Sequence, residues 1–259
     1  MKKSLLMILA ALFFCVALFS GHLIWRYLEE ERETEEQFHE LFGHIKRPEL
    51  DMQDMQDAPE GSGDARLPDP EWTVYDQYGE LFVQNPDMIG WIAIDGTRID
   101  YPVMQTPDRP NFYLKRDFDK QNSGCGVPYA AEACSVDPQS DNITIYGHHM
   151  KSGEIFGVLE EYKGEAFYRE HPLICFDTRA GFGMYEIIAV FKVNPADFQY
   201  NLFINATDES EFYDYVYRCK ALSFYDTGVG AGYGDKLISL STCEYSRKNN
   251  RLVVVARKI

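Results

Sequence analysis

With 259 residues, 45% of them hydrophobic and 14% aromatic, the chain can build one sizeable domain with appendages. Its 25 lysines and arginines face 41 aspartates and glutamates, a net charge of −16. That balance argues against nucleic acid as a partner, which needs a basic surface, and against adhesion to anionic lipid by charge alone.

The N-terminus reads as a membrane segment. Residues 1–4 carry Lys2 and Lys3, and residues 5–26 form an apolar run closed by Trp25 and Arg26. At about 1.5 Å per residue such a run spans roughly the ~30 Å hydrocarbon core. No small-residue cleavage site follows it, so we expect an uncleaved signal-anchor rather than a removed signal peptide. Lysines before it and the acidic cluster Glu29–Glu36 after it orient the N-terminus inside, leaving the rest outside the cell. Residues 27–70 read as a charged helix followed by an Asp/Pro/Gly/Gln-rich linker, together a stalk.

Residues 71–259 form the outer domain. A helix is expected over 72–85, from the spacing of Val74, Tyr75, Tyr78, Leu81 and Phe82. A hairpin follows, with strands at 89–94 and 98–104 around the turn Asp95, Gly96, Thr97. Further strands are expected at 126–130, 142–146, 173–177 and 184–193. Short helices fit 153–162 and 165–170. A longer helix fits 207–222, with Thr207 or Asp208 as N-cap. The glycine-rich run 228–234 lacks the strand-before, helix-after context of a nucleotide loop and reads as a loop beside the last strands. Two β-branched runs end the chain, the first closing on Cys243 and the second opening on Arg251. Many short strands with few helices make the fold mainly β with peripheral helices, a closed barrel or sandwich.

Six cysteines, Cys15, Cys125, Cys134, Cys175, Cys219 and Cys243, show no metal spacing. Cys15 and Cys219 read as small buried hydrophobes. Cys125 and Cys134 are left open as a pair. Cys243 stands apart because it ends a strand with an arginine a short loop away. A nucleophilic cysteine needs a proton-transfer partner, usually histidine. Of six histidines, His22, His39 and His44 belong to the anchor and stalk, and His171 reads as structural. His148 and His149 remain, at the end of the strand 142–146. Taken singly, each of these signals has a bland reading: a packed thiol, a loop histidine, a solvated edge arginine.

Together, and in this order, they resemble the sortases. Leu240, Ser241, Thr242 and Cys243 match that family's T-L-x-T-C signature, with Ser239 in place of the leading threonine. Tyr146, Gly147 and His148 resemble its histidine motif, in which the residue after glycine is catalytic, and Arg251 matches its arginine. The segments 85–92, 99–103 and 113–118 and the helix before the cysteine strand are similar to class B. The segment 126–131 departs from the more acidic, aromatic stretch common there. The resemblance covers residues 72–259 and implies a sortase-like closed β-barrel.

It also implies a chemistry. Cys243 would attack the threonine carbonyl of a C-terminal sorting signal on a surface protein. Arg251 would stabilise the oxyanion and the bound peptide, and His148 would act as acid and then base. A peptidoglycan-precursor amine would accept the acyl group. Ser241 and Thr242 are expected to line the groove, and the Glu244 backbone N–H to complete the oxyanion hole. No metal or cofactor is called for. Two other readings stay open, a secreted cysteine protease releasing product to water and a non-catalytic extracellular binding module.

Overall fold

The computed structural model describes residues 2–46 and 72–259. The linker expected over 47–70 lies outside the described residues.

Helix α1 runs unbroken through Lys2–Gly43. Its N-terminal part exposes Leu12, Phe13, Phe14, Phe19 and Trp25, uncovered among the described residues. It is long and apolar enough to cross a membrane. Cys15, expected to be buried, is exposed on this same stretch. The other end of α1 departs from the expected free stalk. Phe38 and Leu41 sit in the main core, at 5% and 3% exposure. The Phe38 ring lies 4.7 Å from Tyr101 and the Phe42 ring 5.7 Å from Trp91. Two such side chains, buried, contribute roughly 1.5–3 kcal/mol each, enough to seat the helix end on the domain.

Helix α2, Val74–Gln84, starts at a reciprocal cap in which Thr73 and Asp76 satisfy each other's backbone N–H. Its buried stripe Val74, Tyr78, Leu81 and Phe82 faces the sheet. Eight strands follow: β1 Met88–Ala93, β2 Asp100–Met104, β3 Tyr129–Ala130, β4 Asn142–Tyr146, β5 Leu173–Thr178, β6 Met184–Val193, β7 Leu237–Cys243 and β8 Arg251–Lys258. They close into one barrel in the order β1-β2-β3-β4-β7-β8-β6-β5, so no long sheet edge is left open. Most neighbours are antiparallel, but β2 and β3, and β4 and β7, run parallel. Two short helices, a 3-10 turn at Gly157–Lys163 and α3 at Glu165–Glu170, connect β4 to β5. The helix expected from 153 starts late because Gly153 and Ile155 take left-handed backbone (φ 89° and 53°), which no helix accepts.

Helix α4, Glu209–Leu222, is capped by the Asp208 side chain, which accepts from the Glu211 N–H at 2.9 Å. It packs on the outside of the barrel, so β8 is buried on both faces. Leu252, Val254 and Ala256 join the interior cluster, while Val253 and Val255 join the cluster under α4. No disulfide joins any of the six cysteines, Cys125 and Cys134 included.

Candidate active site

The register of three strands builds the site. β7 and β8 pair antiparallel with Cys243 directly opposite Arg251. Directly opposed residues project on one face with Cβ atoms about 5 Å apart, so the thiol and the guanidinium stem are neighbours by construction. β4 lies parallel on the other side of β7, with Tyr146 level with Ser241. The pairing runs one step beyond the strand, since the Gly147 N–H donates to the Ser241 carbonyl at 3.1 Å. His148 follows Gly147, two residues past the last paired residue of β4.

Gly147 is required by packing. A Cβ there would meet the Phe156 ring at 2.6 Å. Thr242 closes the joint from the other strand, its hydroxyl donating to the Gly147 carbonyl at 2.8 Å.

Each histidine is tied to one carbonyl. His148 Nε2 lies 2.7 Å from the Leu114 carbonyl, and His149 Nδ1 lies 3.0 Å from the Cys243 carbonyl. A carbonyl only accepts, so each of these nitrogens carries its hydrogen and donates. That fixes the tautomer of neutral His148 and leaves Nδ1 as the nitrogen free to exchange a proton. The His149 ring also meets the Tyr245 ring edge-on at 5.2 Å.

A buried polar seam leads to the thiol. Ser239 donates to Asn142 Oδ1 at 2.9 Å and meets the Tyr215 hydroxyl at 3.1 Å. Ser241 and the Tyr200 hydroxyl are 2.7 Å apart. The seam asks only for a small hydroxyl at 239, which serine supplies as well as threonine. Aromatic walls complete the site. Tyr129 and Tyr146 are cross-strand partners with ring centroids 5.5 Å apart. The charge of Arg251 reaches both phenols and that of Tyr200. Burial nonetheless drives Tyr200 up to about 12, so it stays a neutral hydroxyl.

Three expectations need correction. Ser241 and Thr242 do not present their side chains to a peptide. They are 1% and 2% exposed, and both hydroxyls are already bonded within the fold. They shape the strand end that carries Cys243. The Glu244 N–H, expected in the oxyanion hole, donates to the Asn250 carbonyl at 3.0 Å and so closes the β7–β8 loop instead. The Glu244 carboxylate has a role of its own. It is buried, accepts from Lys163 at 2.9 Å and binds Ser246 and Asn250. Burial alone would raise its pKa, but these hydrogen bonds and the Lys163 charge outweigh it and hold the group down to about 2.

Sequence reasoning missed Tyr200, Tyr129, the Leu114 carbonyl and the contact made by His149. Only His149 had a visible signal, its place beside His148. Among the described residues no cluster of side chains suits a metal ion.

A strand-end thiol, an arginine opposite it and a carbonyl-tethered histidine on a closed barrel define a cysteine acyl-transfer site. A family model described as the sortase domain matches residues 92–259. Sortase B of Staphylococcus aureus is 32% identical over 186 residues, covering 71% of this chain and 75% of its own. Sortase B of Listeria monocytogenes is 29% identical over 198 residues, covering 76% and 79%. A solved Staphylococcus aureus sortase B–substrate complex superposes with a TM-score of 0.66 at 30% identity, covering 71% of this chain and 84% of that one. The chain belongs to the sortase family, as a cysteine transpeptidase of the sortase B type.

Proposed function

We propose that this transpeptidase is anchored by α1 in the cell membrane, with its N-terminus inside and residues 71–259 on the extracellular face. There it joins surface proteins to the wall. The observation that carries the reading is the register pair Cys243–Arg251, with His148 just past the end of β4, the parallel neighbour of β7.

The reaction runs in two halves. The Cys243 thiolate attacks the threonine carbonyl of a sorting signal, and the new C–S bond pushes charge onto the carbonyl oxygen. Arg251 meets that oxygen. One of its N–H groups is bonded to the Asn250 carbonyl at 3.1 Å, which steers the guanidinium and leaves further donors for substrate. The C–N bond then breaks, and His148, as imidazolium, passes its Nδ1 proton to the departing amine. The resulting thioester is attacked by an amine of the peptidoglycan precursor. Neutral His148 takes the proton from that amine, the C–S bond breaks, and the thiolate returns. A Glu244 N–H contact to the oxyanion would require its bond to Asn250 to be shared or released.

The test is product analysis on the full-length chain in detergent. Quenched peptides with a central threonine are offered with and without glycine amide. Transfer to the added amine in preference to water supports the transpeptidase. Water alone as acceptor at every amine concentration would favour a protease. No cleavage of any peptide would favour a binding module.

A further inference from the structure

Two consecutive histidines follow β4, and the reaction uses only the first. The second is tied to the nucleophile. His149 grips the end of β7 twice, its Nδ1–H donating to the Cys243 carbonyl at 3.0 Å and its ring meeting that of Tyr245 edge-on at 5.2 Å.

Ladder geometry shows what the hydrogen bond replaces. The Gly147 N–H donates to the Ser241 carbonyl at 3.1 Å. Bonds between parallel strands are evenly spaced and recur at every second residue, so the next rung would run from the 149 N–H to the 243 carbonyl. The backbone does not make it. β4 ends at Tyr146, and His149 bridges Ile155 instead. The imidazole supplies the rung that the backbone leaves out, and the carbonyl it holds belongs to Cys243 itself.

The loop that supplies this donor is pinned at its base. The Phe156 N–H donates to the His148 carbonyl at 3.0 Å, and the Ile155 N–H to the Tyr101 hydroxyl at 3.2 Å. Ile155 and Phe156 are fully buried. One braced loop therefore carries His148 and, through the adjoining residue, reaches back to the residue that bears the thiol. The bond does not depend on the charge of the ring. Nδ1 carries a hydrogen in this neutral tautomer and in the imidazolium alike.

Resting on the transpeptidase reading, we propose that His149 is a positioning residue. Its Nδ1–H bond to the Cys243 carbonyl fixes the nucleophile relative to His148 and acts on the acylation step without touching substrate.

The experiment measures single-turnover acylation by full-length chain in detergent against concentration of a cleavable donor peptide. That separates the limiting rate from half-saturation. His149→Asn and His149→Leu have nearly the same shape, but only asparagine offers an N–H where Nδ1 stood. His149→Phe keeps a ring against Tyr245 and removes the donor. The leucine and phenylalanine variants should lose roughly 10- to 100-fold in limiting rate, the scale of a misplacement near 1 Å. Half-saturation should stay within about twofold of wild type, and His149→Asn should recover the rate to within about threefold. Urea melts identify any variant that fails to fold, and the comparison with asparagine then rests on the other donor-less variant. An asparagine variant as slow as leucine, a donor-less variant within about threefold of wild type, or a loss confined to half-saturation would overturn the positioning role and leave the transpeptidase intact. Failure of wild type to acylate would overturn the transpeptidase, and this role with it.

Discussion

The strands that carry Cys243 and the stretch that follows His148 are built in opposite ways. Along β7 the polar side chains are tied into the fold. Ser241, Thr242 and Ser239 are buried with their hydroxyls bonded, and Arg251 is steered by its neighbour's carbonyl. In the 3-10 helix after His148, one oxygen of Glu160 has no hydrogen-bond partner while the other pairs with Lys163. The contrast is physical. A site that stabilises charge developing on one oxygen gains from donors that need not reorganise, and strands supply them.

The contrast can be broken from the strand side most severely. Arg251→Lys keeps the charge but loses the planar fork, and acylation should fall by roughly 10²–10³, on the scale of losing one oxyanion donor. Stopped-flow cleavage of the donor peptide measures it. An effect under threefold would take Arg251 out of the oxyanion role.

Next comes Glu244→Gln. The substitution removes the charge facing Lys163 and weakens the loop that joins the two catalytic strands. A loss of about 2 kcal/mol is expected at neutral pH, the scale of a hydrogen bond to a charged group. The pH dependence carries a sign. The folded-state pKa of Glu244, about 2, lies below its unfolded value of 4.5, so the folded state favours the ionised form. Its contribution is fully present above the unfolded value and is lost as pH falls from about 4.5 towards 2. Urea melts of wild type should weaken over that window, and the part due to this group should be missing in Glu244→Gln. Parallel pH curves for the two proteins would contradict the assignment.

Thr242→Val should cost about 1 kcal/mol, because the Gly147 carbonyl loses its donor. Its effect on acylation should exceed its effect on stability, since that bond sets His148 beside Cys243. Ser241→Ala, with the Tyr200 hydroxyl left unpaired, should show the smallest change. It should destabilise by about 1 kcal/mol and slow acylation less than Thr242→Val does. Equal and small kinetic effects in both would mean the joint does not position the histidine.

Much of this arrangement was legible in the sequence. Strands β4 and β6 and helix α3 have the bounds expected from patterning, because apolar runs there are flanked by turn residues on both sides. Cys243, His148 and Arg251 stand out in the sequence because chemistry restricts which residue types can serve. What the sequence concealed was long-range. Nothing local marks Tyr200 as the partner of Ser241, some 40 positions away in sequence, or the Leu114 carbonyl as the anchor of His148, because any residue has a carbonyl. The docking of α1 was hidden differently. Phe38, Leu41 and Phe42 form an apolar stripe, but the charges at Glu29–Glu36 masked it. Ser241 and Thr242 were assigned to the groove because a strand-end hydroxyl looks available. The register turns both into the wall.

The central claim is that Cys243 carries the acyl group. Full-length chain is mixed with a cleavable donor peptide in the absence of added amine, quenched in acid, digested and weighed. The expected result is an added mass equal to the acyl fragment on the peptide containing Cys243, labile to hydroxylamine and missing from Cys243→Ala. An acyl mass on any other residue, or cleavage that persists in Cys243→Ala, would contradict the account.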